Sequence, residues 1–147
     1  MDLSQKNKTW KSINQPFERR ALTMAAYQDK VYVIAGLNPE GAAVRTVNIY
    51  DPTTQKWAAG PDIPNGIMNG FTPAACVSGG KLYLSPADGH IYMLDDKGSA
   101  WQKVGSLKHG RVVHRLVAIG PDKMLALGGS VLGLPTAESE LVVPNKQ

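Results

Sequence analysis

A single cysteine, Cys76, in 147 residues excludes an intrachain disulfide as a source of stability. It lies in the apolar stretch Ala74-Ala75-Cys76-Val77 and reads as a buried, inert thiol. Charge of one sign is nowhere concentrated. Sixteen Lys and Arg against twelve Asp and Glu leave a net charge of +4, but the basic residues are scattered and form no run, which argues against a nucleic-acid partner. No apolar run approaches the ~18 residues of a membrane span, and Met1-Asp2-Leu3-Ser4-Gln5-Lys6 is not a signal peptide. No membrane partner is expected, and the cytoplasm is the default location. Histidine is scarce: His90, His109 and His114 are the three in the chain. None has the Cys-His or His-carboxylate spacing of a metal site, and the five-residue offset between His109 and His114 points them to opposite faces of a continuous strand. Neither a metal nor a cofactor is expected. Missing too is an apolar stripe at i, i+3, i+4 and i+7 long enough for a helix.

What is there has the composition of a folded domain, 43% hydrophobic and 19% charged. The tryptophans reveal its organisation. Trp10, Trp57 and Trp101 lie 47 and 44 residues apart, each after a polar turn and before a short strand, which marks an internal repeat. A second series keeps the same phase: Asp29-Lys30-Val31-Tyr32-Val33-Ile34-Ala35-Gly36 aligns with Gly80-Lys81-Leu82-Tyr83-Leu84-Ser85 and with Asp122-Lys123-Met124-Leu125-Ala126-Leu127-Gly128-Gly129. Small apolar runs, Ala21 to Tyr27, Phe71 to Val77 and His114 to Ile119, precede these segments across short turns and predict three β-hairpins. In the first two units a third strand follows, ending in aspartate before a polar turn and Trp, as in Tyr50-Asp51-Pro52 through Trp57 and Leu94-Asp95 through Trp101. Four short strands per unit make a propeller blade.

This arrangement of strand, paired glycine, variable loop, Tyr-Asp-Pro, Trp and a Pro-containing linker resembles the kelch repeat. Ile34-Ala35-Gly36 and Tyr50-Asp51-Pro52 meet it best. Unit three matches through Gly128-Gly129, and unit two departs with Pro86-Ala87. WD40 propellers fit less well, because no Trp-Asp dipeptide occurs. Asp96, Gly98 and Trp101 match part of a sialidase Asp box, but Leu94 and Ala100 break it. The fold predicted is all-β, a partial kelch-type β-propeller of about three four-stranded antiparallel blades with the first and last incomplete. Its parts are an orphan fourth strand within 1–14, blade 1 over 15–61, blade 2 over 62–106, and blade 3 over 107–147 lacking its fourth strand.

Kelch propellers usually close with about six blades, and closure protects their edges. Three blades therefore imply either a segment of a longer protein or a homodimer by strand exchange. The resemblance also implies that the loops leading into each first strand, with those between second and third strands, surround the mouth of a central channel. Those positions supply the candidate ligand-binding residues Arg19, Arg20, Asn69, Arg111, His114 and Arg115, with Asn38, Glu40, Asp88, His90 and Thr136 on the longer loops. Convergent Arg and His suit a carboxylate, a phosphate or an acidic peptide. The expected role is a binding or scaffold module for a protein, a peptide or a small anionic ligand. The enzymatic alternative is part of a carbohydrate-active propeller similar to the sialate mutarotases. Copper radical oxidases are set aside, since Cys76 lacks the crosslinking tyrosine setting they need, and no catalytic residue is assigned.

Overall fold

The computed structural model describes residues 4, 6 and 9–145. Blade 1 comprises β1 (Thr23–Tyr27), β2 (Lys30–Leu37), β3 (Ala43–Asp51) and β4 (Lys56–Gly60). Blade 2 comprises β5 (Ala74–Ser78), β6 (Lys81–Ser85), β7 (His90–Leu94) and β8 (Trp101–Ser106). Each is an antiparallel meander with its strands in sequence order. Blade 3 begins with β9 (Arg115–Gly120) and β10 (Lys123–Leu127), continues through the small ribbon of β11 (Ser130–Val131) and β12 (Leu134–Pro135), and returns as β13 (Ser139–Val142) on the free side of β10. Its sheet has three strands in the order β9, β10, β13. No helix occurs among the described residues.

Local chemistry sets the hairpins. Gln28 and Asp29 join β1 to β2 with φ of 48° and 58°, and Gly79 and Gly80 join β5 to β6 with φ of 57° and 74°. Positive φ at both central residues makes a turn whose twist matches that of the paired strands. Gly36 has a different constraint. Its φ is 117°, and a Cβ there would lie 2.7 Å from the Arg20 carbonyl oxygen and 3.0 Å from the Leu22 Cβ. Glycine is thus required where β2 passes under the loop leading into β1. Gly129 repeats the arrangement in blade 3 against the Val112 carbonyl, at 2.6 Å.

The core lies between blades. One cluster joins Tyr27, Tyr32, Ile34 and Val47 of blade 1 to Leu82, Leu84, Tyr92 and Leu94 of blade 2, and Ile63 of the connecting linker is completely buried in it. The other joins Ala74, Tyr83, Ile91, Met93 and Val104 of blade 2 to Leu116, Met124, Ala126 and Val142 of blade 3. The tryptophans tie each last strand to the linker ahead of its own blade. Trp57 Nε1 donates to the Asn14 carbonyl at 3.0 Å, and Trp101 Nε1 donates to the Pro61 carbonyl at 3.0 Å.

One expectation differs from the structure. Around Trp10 the described residues 9–15 form no strand, and part of the predicted segment (1–3, 5, 7 and 8) lies outside the described residues. A fourth strand needs a third strand beside it, and among the described residues none precedes blade 1 to offer that edge.

Gly36→Ala is expected to lower stability by about 2 kcal/mol or more, since it combines an unfavourable backbone conformation with a backbone clash. Urea unfolding followed by tryptophan fluorescence measures it.

Candidate functional site

The three loops leading into β1, β5 and β9 meet at one end of the blade stack. Each places a non-glycine residue in the left-handed region directly before or near its strand: Ala21 (φ 54°), Thr72 (φ 45°) and Val113 (φ 60°). Hydrogen bonds run from blade to blade through these residues. The Thr72 amide donates to the Ala21 carbonyl at 2.9 Å, and the Val113 amide donates to the Thr72 hydroxyl at 2.9 Å. Together with Thr23, Ala74 and Arg115 they line a cleft of about 450 Å³. The left-handed geometry costs of order 1–3 kcal/mol at each residue, and these bonds help to hold it.

The six candidate residues separate into three roles. Arg19 and Arg111 occupy the same position in their blades, two residues before the left-handed residue, and both turn inward. Arg19 donates to the Thr46 carbonyl (2.6 Å), the Thr46 hydroxyl (2.9 Å) and Asn48 Oδ1 (2.6 Å), with its guanidinium 4.2 Å from the centre of the Phe17 ring. Arg111 is buried, donates to the carbonyls of Gly128 (3.2 Å) and Glu138 (3.1 Å), and forms an ion pair with Glu140. Each arginine pins its lead-in loop to the third strand of its blade. A buried guanidinium is retained only with such partners.

Asn69 and His114 serve as buried connectors. Asn69 Nδ2 donates to the Pro64 carbonyl (3.2 Å) and to Asp88 Oδ2 (2.9 Å), and its Oδ1 accepts from the Asp88 amide (3.0 Å). Asp88 also accepts from the His90 amide (2.8 Å) and the Tyr92 hydroxyl (3.1 Å), so one carboxylate organises the loop after β6. His114 is fully buried, with Nε2 hydrogen-bonded to Ser85 Oγ at 2.9 Å. The expectation that Asn69, Arg111 and His114 present themselves on an open face is therefore corrected. Position on a lead-in loop was legible, but the side chains turn into the blades because partners wait there.

Arg20 and Arg115 behave differently. Both are exposed, and each makes a single long bond to a carbonyl, Arg20 to Asn38 (3.4 Å) and Arg115 to His114 (3.2 Å). Among the longer loops, Asn38 closes its own turn by accepting from the Ala42 amide at 2.7 Å, Thr136 accepts from the Glu138 amide at 3.1 Å, and Glu40 is exposed. His90 contacts Ser106 and Lys103 on the outer strand of its blade. Thr72, Ser85 and Glu140 were missed by sequence reasoning. Only Glu140 carried a signal, as the acidic residue of the third strand in a blade whose lead-in loop holds a buried arginine.

Charge and burial act together on His114. Burial, then the nearby Arg111 and Arg115 guanidiniums, lower its pKa from 6.5 to about 4. Burial alone pushes the Cys76 thiol up to about 11, so it is no nucleophile at neutral pH. Among the described residues no group of three or more His, Cys, Asp or Glu is placed to hold a metal ion.

Two measurements follow from this geometry. His114 is neutral when folded and takes up a proton near pH 6.5 when unfolded, so its contribution is complete above pH 6.5 and is lost as pH falls towards 4. Urea midpoints across that range are expected to fall more steeply in the wild type than in His114→Asn. Glu140→Gln leaves the Arg111 charge buried and is expected to cost about 3 kcal/mol in the same assay.

Comparison with known proteins agrees with this architecture. Residues 18–64 match the family described as Kelch motif. Kelch-like protein 35 is 30% identical over 117 residues in its human form and 29% in its mouse form, covering 76% of this chain and 19% of those proteins. Mouse Kelch-like protein 36 is 33% identical over 60 residues, covering 40% of this chain and 10% of that protein. The chain thus spans about a fifth or less of the length of these relatives. Among solved structures, "Structure of YjhT" superposes with a TM-score of 0.72 at 18% identity, over 90% of this chain and 45% of that one. With its motif, its repeated four-stranded blades and this fold, the chain belongs to the kelch-repeat β-propeller family.

Proposed function

We propose that this chain is a binding module whose lead-in loops take an acidic segment of a protein or peptide partner at the mouth of the channel. The observation that carries this reading is the division among the candidate cations. Arg19 and Arg111 are committed inside their blades, whereas Arg20 and Arg115 hold exposed guanidiniums beside the lead-in loops. An exposed guanidinium with few internal bonds is free to make a paired, charge-assisted contact with a carboxylate. Arg115 stands directly on the cleft of about 450 Å³, and its wall includes Thr23, Thr72 and Ala74. Small side chains there leave room for an extended peptide. Arg20 sits with Asn38 and Pro39 at a second, shallower hollow of about 190 Å³, so the two cations suit a ligand of peptide length better than a single compact anion.

The test is fluorescence anisotropy with a library of short synthetic peptides rich in Asp and Glu, alongside amide-neutralised counterparts. Acidic peptides are expected to bind, more weakly as salt rises, and Arg115→Glu and Arg20→Glu are each expected to reduce affinity by about tenfold or more. Equal binding of neutral and acidic peptides, or no response to either substitution, would show that the channel mouth is not the recognition surface.

A further inference from the structure

Two asparagines in the loop leading into β5 are each followed by glycine, Asn65-Gly66 and Asn69-Gly70. Such a pair is chemically labile. The glycine amide nitrogen can attack the side-chain carbon of the asparagine before it, because no side chain hinders the approach and the two reacting groups are held in one chain. The fold treats the two pairs oppositely. Asn69 is buried and its side-chain amide is tied on both sides: Nδ2 donates to the Pro64 carbonyl and to Asp88 Oδ2, and Oδ1 accepts from the Asp88 amide. Asn65 and Gly66 are both exposed and lie outside any strand. Among the described residues neither the Asn65 side chain nor the Gly66 amide makes a hydrogen bond.

Glycine at 66 is itself required. A Cβ there would lie 2.7 Å from Asn69 Cγ, so the chain wraps too closely around the buried amide to carry a side chain. The Gly66 carbonyl accepts from the Asn69 amide at 3.3 Å, and the Pro64 carbonyl accepts from Asn69 Nδ2 at 3.2 Å. Residues 64–66 thus form the cage that holds Asn69, and the labile pair is part of it. Asp88-Gly89 can close the same ring in principle, but it is restrained. The Asp88 carboxylate accepts from Asn69, the His90 amide and the Tyr92 hydroxyl, and the Gly89 amide donates to the Pro86 carbonyl at 3.3 Å.

We propose that Asn65 is a self-modification site, which converts through a succinimide to aspartate and isoaspartate, and that the isoaspartyl product releases the Asn69 anchor. Gly66 N loses its proton and bonds to Asn65 Cγ, the Cγ–Nδ2 bond breaks, and the side-chain nitrogen takes up the proton and leaves as ammonia. Water then opens the ring. Addition at Cγ breaks its bond to Gly66 N and gives aspartate. Addition at the Asn65 main-chain carbonyl breaks that carbon's bond to Gly66 N and gives isoaspartate, in which the main chain runs through Cβ and Cγ. The second route inserts one more carbon between the carbonyls of Pro64 and Gly66, the two that Asn69 needs in register. A new charge at residue 65 alone leaves that spacing intact. The same loop continues to Thr72, whose amide donates to the Ala21 carbonyl and whose hydroxyl accepts from the Val113 amide, so loss of the anchor reaches all three lead-in loops.

The test is to age the purified chain in mildly alkaline buffer, folded and in urea, and to locate the products by peptide mass spectrometry with electron-transfer fragmentation, which separates aspartate from isoaspartate. In urea both Asn65 and Asn69 are expected to convert. In the folded chain Asn65 is expected to convert at least about tenfold faster than Asn69, because the buried amide reacts only after local opening. Asn65→Gln is expected to abolish conversion at residue 65. The isoaspartyl fraction of the aged chain is expected to show a lower urea midpoint and faster hydrogen exchange at the Thr72 and Val113 amides than fresh protein, whereas Asn65→Asp, which adds the charge without the extra carbon, is expected to match fresh protein in both. An Asn65 that converts in urea but stays intact in the folded chain, equal conversion of Asn65 and Asn69 in the folded chain, or an isoaspartyl fraction that behaves as Asn65→Asp does overturns the inference.

Discussion

A blade of this chain is a thin, twisted sheet with apolar side chains on both faces, and such a sheet is stable only when a neighbour covers each face. Front-to-back stacking is the constraint on which the other features depend. It explains why the buried residues fall into two clusters, each shared between blades, and why Ile63 of a linker is among the most deeply buried side chains. Trp101 serves the same stacking by packing on the junction of blades 1 and 2. Trp57 and Trp101 each bind a carbonyl of the segment ahead of their own blade, which fixes the path of the chain into it.

Stacking alone leaves the lead-in loops undefined, and buried polar groups settle them. Arg19 and Arg111 draw the lead-in loops of blades 1 and 3 onto their third strands, while in blade 2 the equivalent position is Gly70. There the work passes to Asn69 and Asp88, which join the loops on either side through paired hydrogen bonds. His114 and Ser85 make the corresponding connection between blades 2 and 3. These groups are costly to bury unless bonded, so their presence specifies one loop arrangement. The exposed Arg20 and Arg115 are then displayed on a frame that these bonds hold in place.

Much of this was present in the primary structure because a repeat states the same constraint several times. The spacing of Trp10, Trp57 and Trp101 and the three Lys-containing hairpins gave the phase of the blades. Glycine at 36 and 129 was legible as a backbone requirement, though its cause, the carbonyls of Arg20 and Val112, was not. Unit two, with Pro86-Ala87 in place of glycine, forms the same four-stranded sheet.

The sequence by itself determined the strand order, the turn types and which side chains alternate towards a neighbouring blade, since these follow from local geometry and a period of two. The directions of the loop arginines were decided only by the tertiary structure. Arg19 and Arg20 are adjacent in sequence and Arg111 and Arg115 nearly so, yet one of each pair is bound inside a blade and the other lies in solvent. What separates them is the presence of Asn48 and Glu140, about thirty residues away along the chain and within hydrogen-bonding reach in the fold.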